Sequence, residues 1–417
     1  MNRLIRMNSM YGANNYSPLP VVIQKAAGVF MYDTEGKKYF DFLSSYSSVN
    51  QGHCHPKLVD IMTQQCKTLT LCSRAFHSEN LLLFFKFMNK TFRYDRCLPM
   101  NTGVEAGETA IKLARLWGYE KKKVDENKAM VLMAENNFWG RTITACSSST
   151  DPTCYTNFGP YTPGFDFVTF NCIQSLEQKL KENSNIVAYM MEPIQGEAGI
   201  IVPSANYLQQ VRELCNKYNI LLICDEVQTG IGRTGKMLAS ELWNVRPDLL
   251  ILGKALSGGM MPVSAVLAND EVMSLVTPGI HGSTFGGNPL ASIIAIHAVN
   301  IISEENLLEN SIEMGHLFRS KLKDFEGKII KEVRGVGLMN ALEFYNKKDA
   351  NLFVTLCMKE GLLCKSTHDT TIRMCPPLTI NREEMKQSLE IIRSSIEGVK
   401  KKSVLFSSLS TYSHGIV

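Results

Sequence analysis

The sequence predicts an α/β fold built on a mainly parallel sheet, and three observations carry that expectation. Continuous apolar runs recur between about residues 100 and 255, at Ala129–Ala134, Ile186–Met191, Ile220–Cys224 and Leu249–Leu252. They alternate with stretches of helical period, as βα units do. Each run is apolar at every position, which suits strands covered on both faces. A length of 417 residues with 45% hydrophobic content is enough for one large domain and one smaller.

In chain order, residues 1–46 read as an N-terminal segment whose fold residues begin at Tyr11-Gly12-Ala13-Asn14-Asn15-Tyr16. His53-Cys54-His55 offers alternating ligands with no nearby third donor, a poor zinc site, and is better read as a turn into a helix at Pro56. Asn101-Thr102-Gly103-Val104-Glu105-Ala106 reads as a helix start, because Ala110, Leu113, Ala114 and Trp117 then fall on one face. Leu208, Val211, Leu214 and Tyr218 mark a scaffold helix between two of the strands. After Ser303-Glu304-Glu305 the pattern turns to long helices with charged faces, a short strand near Met339–Phe344 and a last helix over about 382–398. The expected division is a large domain over 47–308, a small C-terminal domain over 309–402 and a loose Ser-rich tail over 403–417.

Composition narrows the partners. With 44 basic and 40 acidic residues the net charge is +4, spread along the chain, so there is no electrostatic footprint for nucleic acid. No apolar run is long enough to span a membrane, and twelve scattered cysteines without CxxC spacing suggest reduced thiols. Cys146 and Cys154 flank a polar loop and would form a redox switch only within disulfide reach. Arg3 and Arg6 precede the first acid, Asp33, as in transit peptides, but ten residues are too few for one, so the cytoplasm is expected, with the mitochondrial matrix as the alternative.

The chemistry gathers where strands should end. Asp225 closes one apolar run, and Lys254 follows another through Gly253. Ligands in open α/β sheets bind beyond the carboxyl ends of the strands, so the two could share a crevice. A lysine amine condenses with an aldehyde while a carboxylate keeps a pyridine nitrogen protonated, which fits pyridoxal phosphate; a solvated pair is the plainer reading. Gly103 and Val104 could hold a phosphate at the helix N-terminus, or the helix could be capped with nothing bound. Phe138 follows another strand and can stack on a ring. Arg141 and Arg373 offer planar forks for carboxylates or structural ion pairs. Glu192 and Glu197 follow a buried strand, where an acid needs a partner or a function. Gly230-Ile231-Gly232-Arg233-Thr234-Gly235 matches GxGxxG and supplies the competing reading of a nicotinamide-dependent dehydrogenase, but Asp225-Glu226-Val227-Gln228-Thr229 separates it from its strand.

Taken together, the Asn101–Ala106 segment, Glu192-Pro193 to Glu197-Ala198-Gly199, Asp225-Glu226-Val227-Gln228-Thr229-Gly230, Lys254-Ala255-Leu256-Ser257-Gly258-Gly259 and Gly282-Ser283-Thr284-Phe285-Gly286-Gly287-Asn288-Pro289 resemble the class III aminotransferases. The resemblance extends over roughly residues 11–398. It implies fold type I of the pyridoxal-phosphate enzymes, with a seven-stranded, mainly parallel sheet flanked by helices and a small α+β C-terminal domain. It implies pyridoxal 5'-phosphate as cofactor, bonded to Lys254, with Asp225 on the ring nitrogen, Phe138 and Val227 on the ring faces, Gln228 at the phenolic oxygen, Gly103 and Val104 on the phosphate, and Glu192 nearby. Ser283 and Thr284 would come from the partner in a homodimer with shared active sites. The implied substrates are L-ornithine and 2-oxoglutarate. Tyr16, Tyr46 and Arg141 would face the first, and Glu197 would neutralise Arg373 until the second arrives. Acetylornithine and 4-aminobutyrate are alternative amino donors. Met261 and Phe285 depart from the aromatic and the tyrosine usual at those positions.

Overall fold

The computed structural model describes residues 3–412, with side chains through Lys402. Strands β1 (Ile23–Ala27), β2 (Phe30–Asp33) and β3 (Lys38–Asp41) form an antiparallel meander after a first helix, Arg3–Tyr11. The central sheet takes β4 (Arg96–Met100), β5 (Met130–Ala134), β6 (Phe165–Val168), β7 (Ile186–Met191), β8 (Leu221–Asp225), β9 (Leu249–Leu252) and β10 (Ser264–Ala268). Their order across the sheet is β4-β10-β9-β8-β7-β5-β6, parallel except for β10, which runs against both neighbours. The apolar runs become strands because helices cover both faces: β7 and β8 are buried at every position, and so is β9.

A second sheet, β11 (Ile330–Val336), β12 (Met339–Phe344), β14 (Lys365–Thr367) and β15 (Thr371–Met374), lies in the C-terminal part in the order β11-β12-β15-β14. The short strand β13 (Leu362–Leu363) leaves that part and pairs in parallel with β3. The N-terminal segment therefore shares a sheet with the C-terminal one, and a boundary at residue 46 falls inside the turn Ser44–Ser47.

Several expectations shift by small physical steps. The helix start at Asn101–Ala106 becomes the helix Gly103–Glu120, closed by a capping box between Thr102 and Glu105. Pro56 occupies the first turn of the helix Pro56–Cys66. Asp225 is the last residue of β8 rather than the first beyond it. The final helix runs from Arg382 to Tyr412, past the expected end near 398 and into the stretch read as a loose tail. Neither proline nor glycine interrupts residues 399–412, so nothing in the sequence stops it. The rest of that tail, 413–417, lies outside the described residues. The GxGxxG segment is a chain of turns packed into the core, not a strand-to-helix junction. Its Arg233 is fully buried and donates to Leu338 O, Pro376 O and Asn50 Oδ1.

Candidate active site

Beyond the carboxyl ends of β7, β8 and β9 lies a cavity of about 250 Å³ lined by Gly103, Val104, Phe138, Glu192, Glu197, Asp225, Val227, Gln228 and Lys254. These residues come from five separate segments, and the parallel strands are what bring them together. Asp225 is buried, and among the described residues its one hydrogen bond comes from the Val227 N–H at 2.9 Å. Burial pushes its carboxyl up to about 6, opposed by that N–H and by Lys254. Glu192 accepts from the Phe138 and Gly196 N–H groups at 3.1 and 3.0 Å. Burial, and then the proximity of Asp225, push it up to about 8. Lys254 opens a short 3-10 turn at φ +44°, and burial lowers its amine toward the neutral, nucleophilic form.

This donor set fits a phosphorylated pyridine aldehyde. Among the described residues Lys254 is the cation that lowers Asp225, and a pyridinium N–H would be a second. The N–H groups of Gly103 and Val104, at the N-terminus of an 18-residue helix, have no acceptor among the described hydrogen bonds. A side chain at Gly103 would press on Val227 Cγ1 at 2.9 Å, so the close approach there requires glycine. Phe138 and Val227 both line the same space.

A second cavity of about 700 Å³ adjoins the first through Phe138 and Glu197 and is lined by Tyr46, Arg141, Arg373 and the β14–β15 hairpin, among others. Arg373, on β15, is buried and donates Nη1 to Glu197 Oε1 at 2.5 Å. Its guanidinium also lies 4.7 Å from the Tyr46 ring centre, and its Nε has no partner among the described residues. Arg141 is exposed, stacked 5.4 Å from the Phe138 ring centre with Nη1 3.6 Å from Cys154 Sγ. Cys146 and Cys154 are both free thiols. Tyr16 is 68% exposed and meets Tyr46 along a third, apolar hollow.

Ser283 and Thr284 do not line the first cavity; Ser283 Oγ instead accepts from the chain's own Asn101 Nδ2 at 2.9 Å.

Sequence reasoning missed what holds the second cavity in shape. Residues Ser44, Ser45, Tyr46 and Ser47 have φ of 50°, 47°, 60° and 69°, a left-handed turn without a glycine. Each such residue costs about 1–3 kcal/mol. Asp41 offsets part of that cost: its Oδ1 accepts from the Leu43 and Ser44 N–H groups at 2.8 and 2.9 Å, while its Oδ2 pairs with His53 Nε2 at 2.7 Å. Ser44 Oγ adds a bond to Cys375 O at 2.7 Å. His55 pairs with Glu305, and no metal-binding cluster occurs among the described residues. Lys365 Nζ donates to Ser17 O at 2.5 Å and ties down the Tyr16 segment. The asparagine-free, glycine-free Ser-Ser-Tyr-Ser stretch carries no local signal of a left-handed turn, though a buried Asp41 beside His53 could have prompted a search for one.

Comparison with known proteins gives a consistent picture. Residues 11–396 match the family model for class-III aminotransferases. A mitochondrial ornithine aminotransferase of Drosophila melanogaster is 55% identical over 93% of this chain and 89% of its own. The crystal structure of the ornithine aminotransferase of Toxoplasma gondii superposes with a TM-score of 0.94 at 44% identity, covering 96% of this chain and 95% of that one. An acetylornithine aminotransferase from Elizabethkingia anophelis superposes at 0.86 with 45% identity, covering 95% and 98%.

Proposed function

The chain belongs to the class III aminotransferases, which depend on pyridoxal phosphate, and from that premise we propose that it moves the δ-amino group of L-ornithine to 2-oxoglutarate, giving glutamate 5-semialdehyde and glutamate. The observation that carries this reading is the masked arginine: one polar cavity holds two guanidinium groups, and a half-exposed acid, Glu197, covers one of them.

When bound, the cofactor supplies an aldehyde for the amine and a protonated ring that draws off the electron pair left by a departing C–H proton. Gly103 and Val104 would hold its phosphate by backbone N–H, Phe138 and Val227 would bound its ring faces, Gln228 would serve its phenolic oxygen and Asp225 its ring nitrogen. Glu192, held up by burial, keeps a proton and so spares Asp225 a second negative neighbour. Lys254 would hold the cofactor's aldehyde end, and its amine, lowered by burial, is placed to take the proton from the substrate's δ-carbon. Arg141 orients the ornithine α-carboxylate, Tyr16 meets the α-amine and Tyr46 bounds the pocket. With Glu197 on Arg373, the site carries no free charge that would draw the α-carboxylate to the reacting end. When 2-oxoglutarate enters, Glu197 leaves, Arg373 takes the α-carboxylate and Arg141 the distal one. Amino donor and acceptor use one site in turn, which is ping-pong kinetics.

Ser283 and Thr284 complete the phosphate site of a second copy in this reading. Exposed large apolar side chains next to them in the sequence support it: Phe285 is 56% exposed and Ile280 43%. The residues divide into an N-terminal segment, a large cofactor domain and a small C-terminal domain, and the cytoplasm is the compartment we assign, although the fly relative is named mitochondrial. No described helix is long and apolar enough to cross a membrane.

The test is spectroscopic. The purified, cofactor-loaded protein should lose its visible absorbance with ornithine alone, regain it with 2-oxoglutarate, and yield a trappable semialdehyde. Sedimentation of the same sample should give twice the chain mass of 46.7 kDa. A response to acetylornithine but not ornithine would reassign the donor, and an active monomer would dismiss the shared site.

A further inference from the structure

We propose that Arg334 is a positioning residue for Glu197: it grips the backbone that carries the acid and so confines the exchange of substrates at Arg373 to a rotation of the Glu197 side chain. The proposal rests on the two-substrate reading above and extends it to a residue in the small sheet.

Arg334 lies on β11, and its guanidinium crosses to the loop between β7 and the next helix. Nε donates to Gly199 O at 3.0 Å and to Ile200 O at 3.2 Å, and Nη2 donates to Gly199 O at 2.7 Å. On the other side Nη1 donates to Glu332 at 2.8 Å and to Glu343, whose carboxylate also accepts from Lys331 at 2.7 Å. The fork is thus fixed by two acids of its own sheet and directed at two carbonyls of the loop. A lysine ammonium could not hold both sets at once, because it presents a point charge without planar geometry.

The grip falls where the loop is most contorted. Gly199 has φ +112° and Ile200 has φ +58°, a left-handed conformation that a β-branched residue adopts only under outside restraint. Ile200 is fully buried, and the loop is closed by paired bonds between Gln195 and Ile201 at 3.2 and 2.9 Å. A side chain at Gly196 would collide with Gln228. At Glu197 itself, Thr367 Oγ1 donates to the backbone O at 2.5 Å. The backbone is therefore fastened at Glu197 O and, through Gln195 and through Gly199 and Ile200, before and after it, whereas the Glu197 side chain is 30% exposed and, among the described residues, makes a single bond, to Arg373.

That division of labour has a purpose in a site that must switch twice per cycle. An acid that leaves and returns needs its Cα in one place, since misplacement by about 1 Å can cost on the order of 100-fold in rate. The unpartnered Nε of Arg373 is the second donor that an incoming carboxylate can use once Glu197 has rotated away.

The test compares the two half-reactions in Arg334→Gln, with Arg334→Lys beside it, and measures the binding of glutarate, an unreactive dicarboxylate, by calorimetry. Loosening the loop should uncover Arg373. The ornithine half-reaction should lose about tenfold in kcat/KM while the 2-oxoglutarate half-reaction stays within about twofold, and glutarate should bind several-fold more tightly. Arg334→Lys should resemble Arg334→Gln, because charge without the fork does not restore the grip. Equal losses in both half-reactions with unchanged glutarate affinity would reduce Arg334 to a support of the fold and overturn the proposal. If Arg334→Gln fails to fold, Thr367→Val, which removes the hold on Glu197 O, should give the same split in smaller measure, and an even loss there overturns it equally. A wild-type protein that ignores ornithine would instead remove the substrate reading.

Discussion

The two adjoining cavities are built in opposite ways. The cofactor side is made by the ends of adjacent parallel strands: Asp225 ends β8, Lys254 follows β9 by one glycine, and Glu192 follows β7 directly. Asp225 and Glu192 are buried there and Lys254 is half-buried, each anchored by the end of a core strand. The substrate side is assembled from distant pieces: Tyr46 on a left-handed turn, Arg373 on the small sheet, Arg141 on an exposed loop and Tyr16 on the N-terminal segment. Reaction chemistry that must not vary sits on rigid elements, and discrimination between substrates sits on restrained but separable ones.

The comparison can be tested by substitution, and the largest effect belongs to the rigid half. Lys254→Ala should lower turnover by at least about a thousandfold in both half-reactions alike, since it removes the proton carrier for each. Full activity in that variant would break the division at its centre. On the separable half the effect should be smaller and selective. Tyr16→Ile should weaken ornithine against 4-aminobutyrate by about tenfold in kcat/KM, because only ornithine brings an α-amine to that position. An unchanged ratio would make Tyr16 packing alone.

The smallest effect concerns stability of the cofactor-free protein. Asp225 rises from 3.8 to about 6 and Glu192 from 4.5 to about 8, both by burial first. A raised carboxyl stays protonated in the folded state after the unfolded chain has ionised. Its contribution is therefore intact below the unfolded value and is lost as pH climbs through the folded one. Thermal stability should fall between about pH 4 and 8. Glu192→Gln should flatten the upper part of that slope, and an unaltered profile would mean the buried acid is ionised throughout.

The same contrast explains what the sequence could disclose. Strands buried on both faces write themselves as unbroken apolar runs, so β5, β7, β8 and β9 were legible nearly to the residue, and with them the places of Asp225 and Lys254. The Asn-Thr-Gly helix start was legible because capping chemistry is local. The turn at Ser44–Ser47 was not, since its conformation is imposed by Asp41 and by Cys375, more than three hundred residues away. Arg334 was likewise invisible: nothing near it in sequence says that its carbonyl partners lie at Gly199 and Ile200. The glycines of Gly230–Gly235 were conspicuous yet serve the buried Arg233 and the core around it.

The pairing of β3 with β13 also orders events during synthesis. About 320 residues separate Asp41 from Leu362, so at roughly 5–20 residues per second the N-terminal meander waits on the order of 15–65 s for its last strand. Through that interval β3 has an open edge, the kind of surface that recruits another chain. A nascent chain halted before Leu362 would already carry Asp225 and Lys254, yet its meander would lack the closing strand, so premature termination should produce an aggregation-prone fragment rather than a slow enzyme.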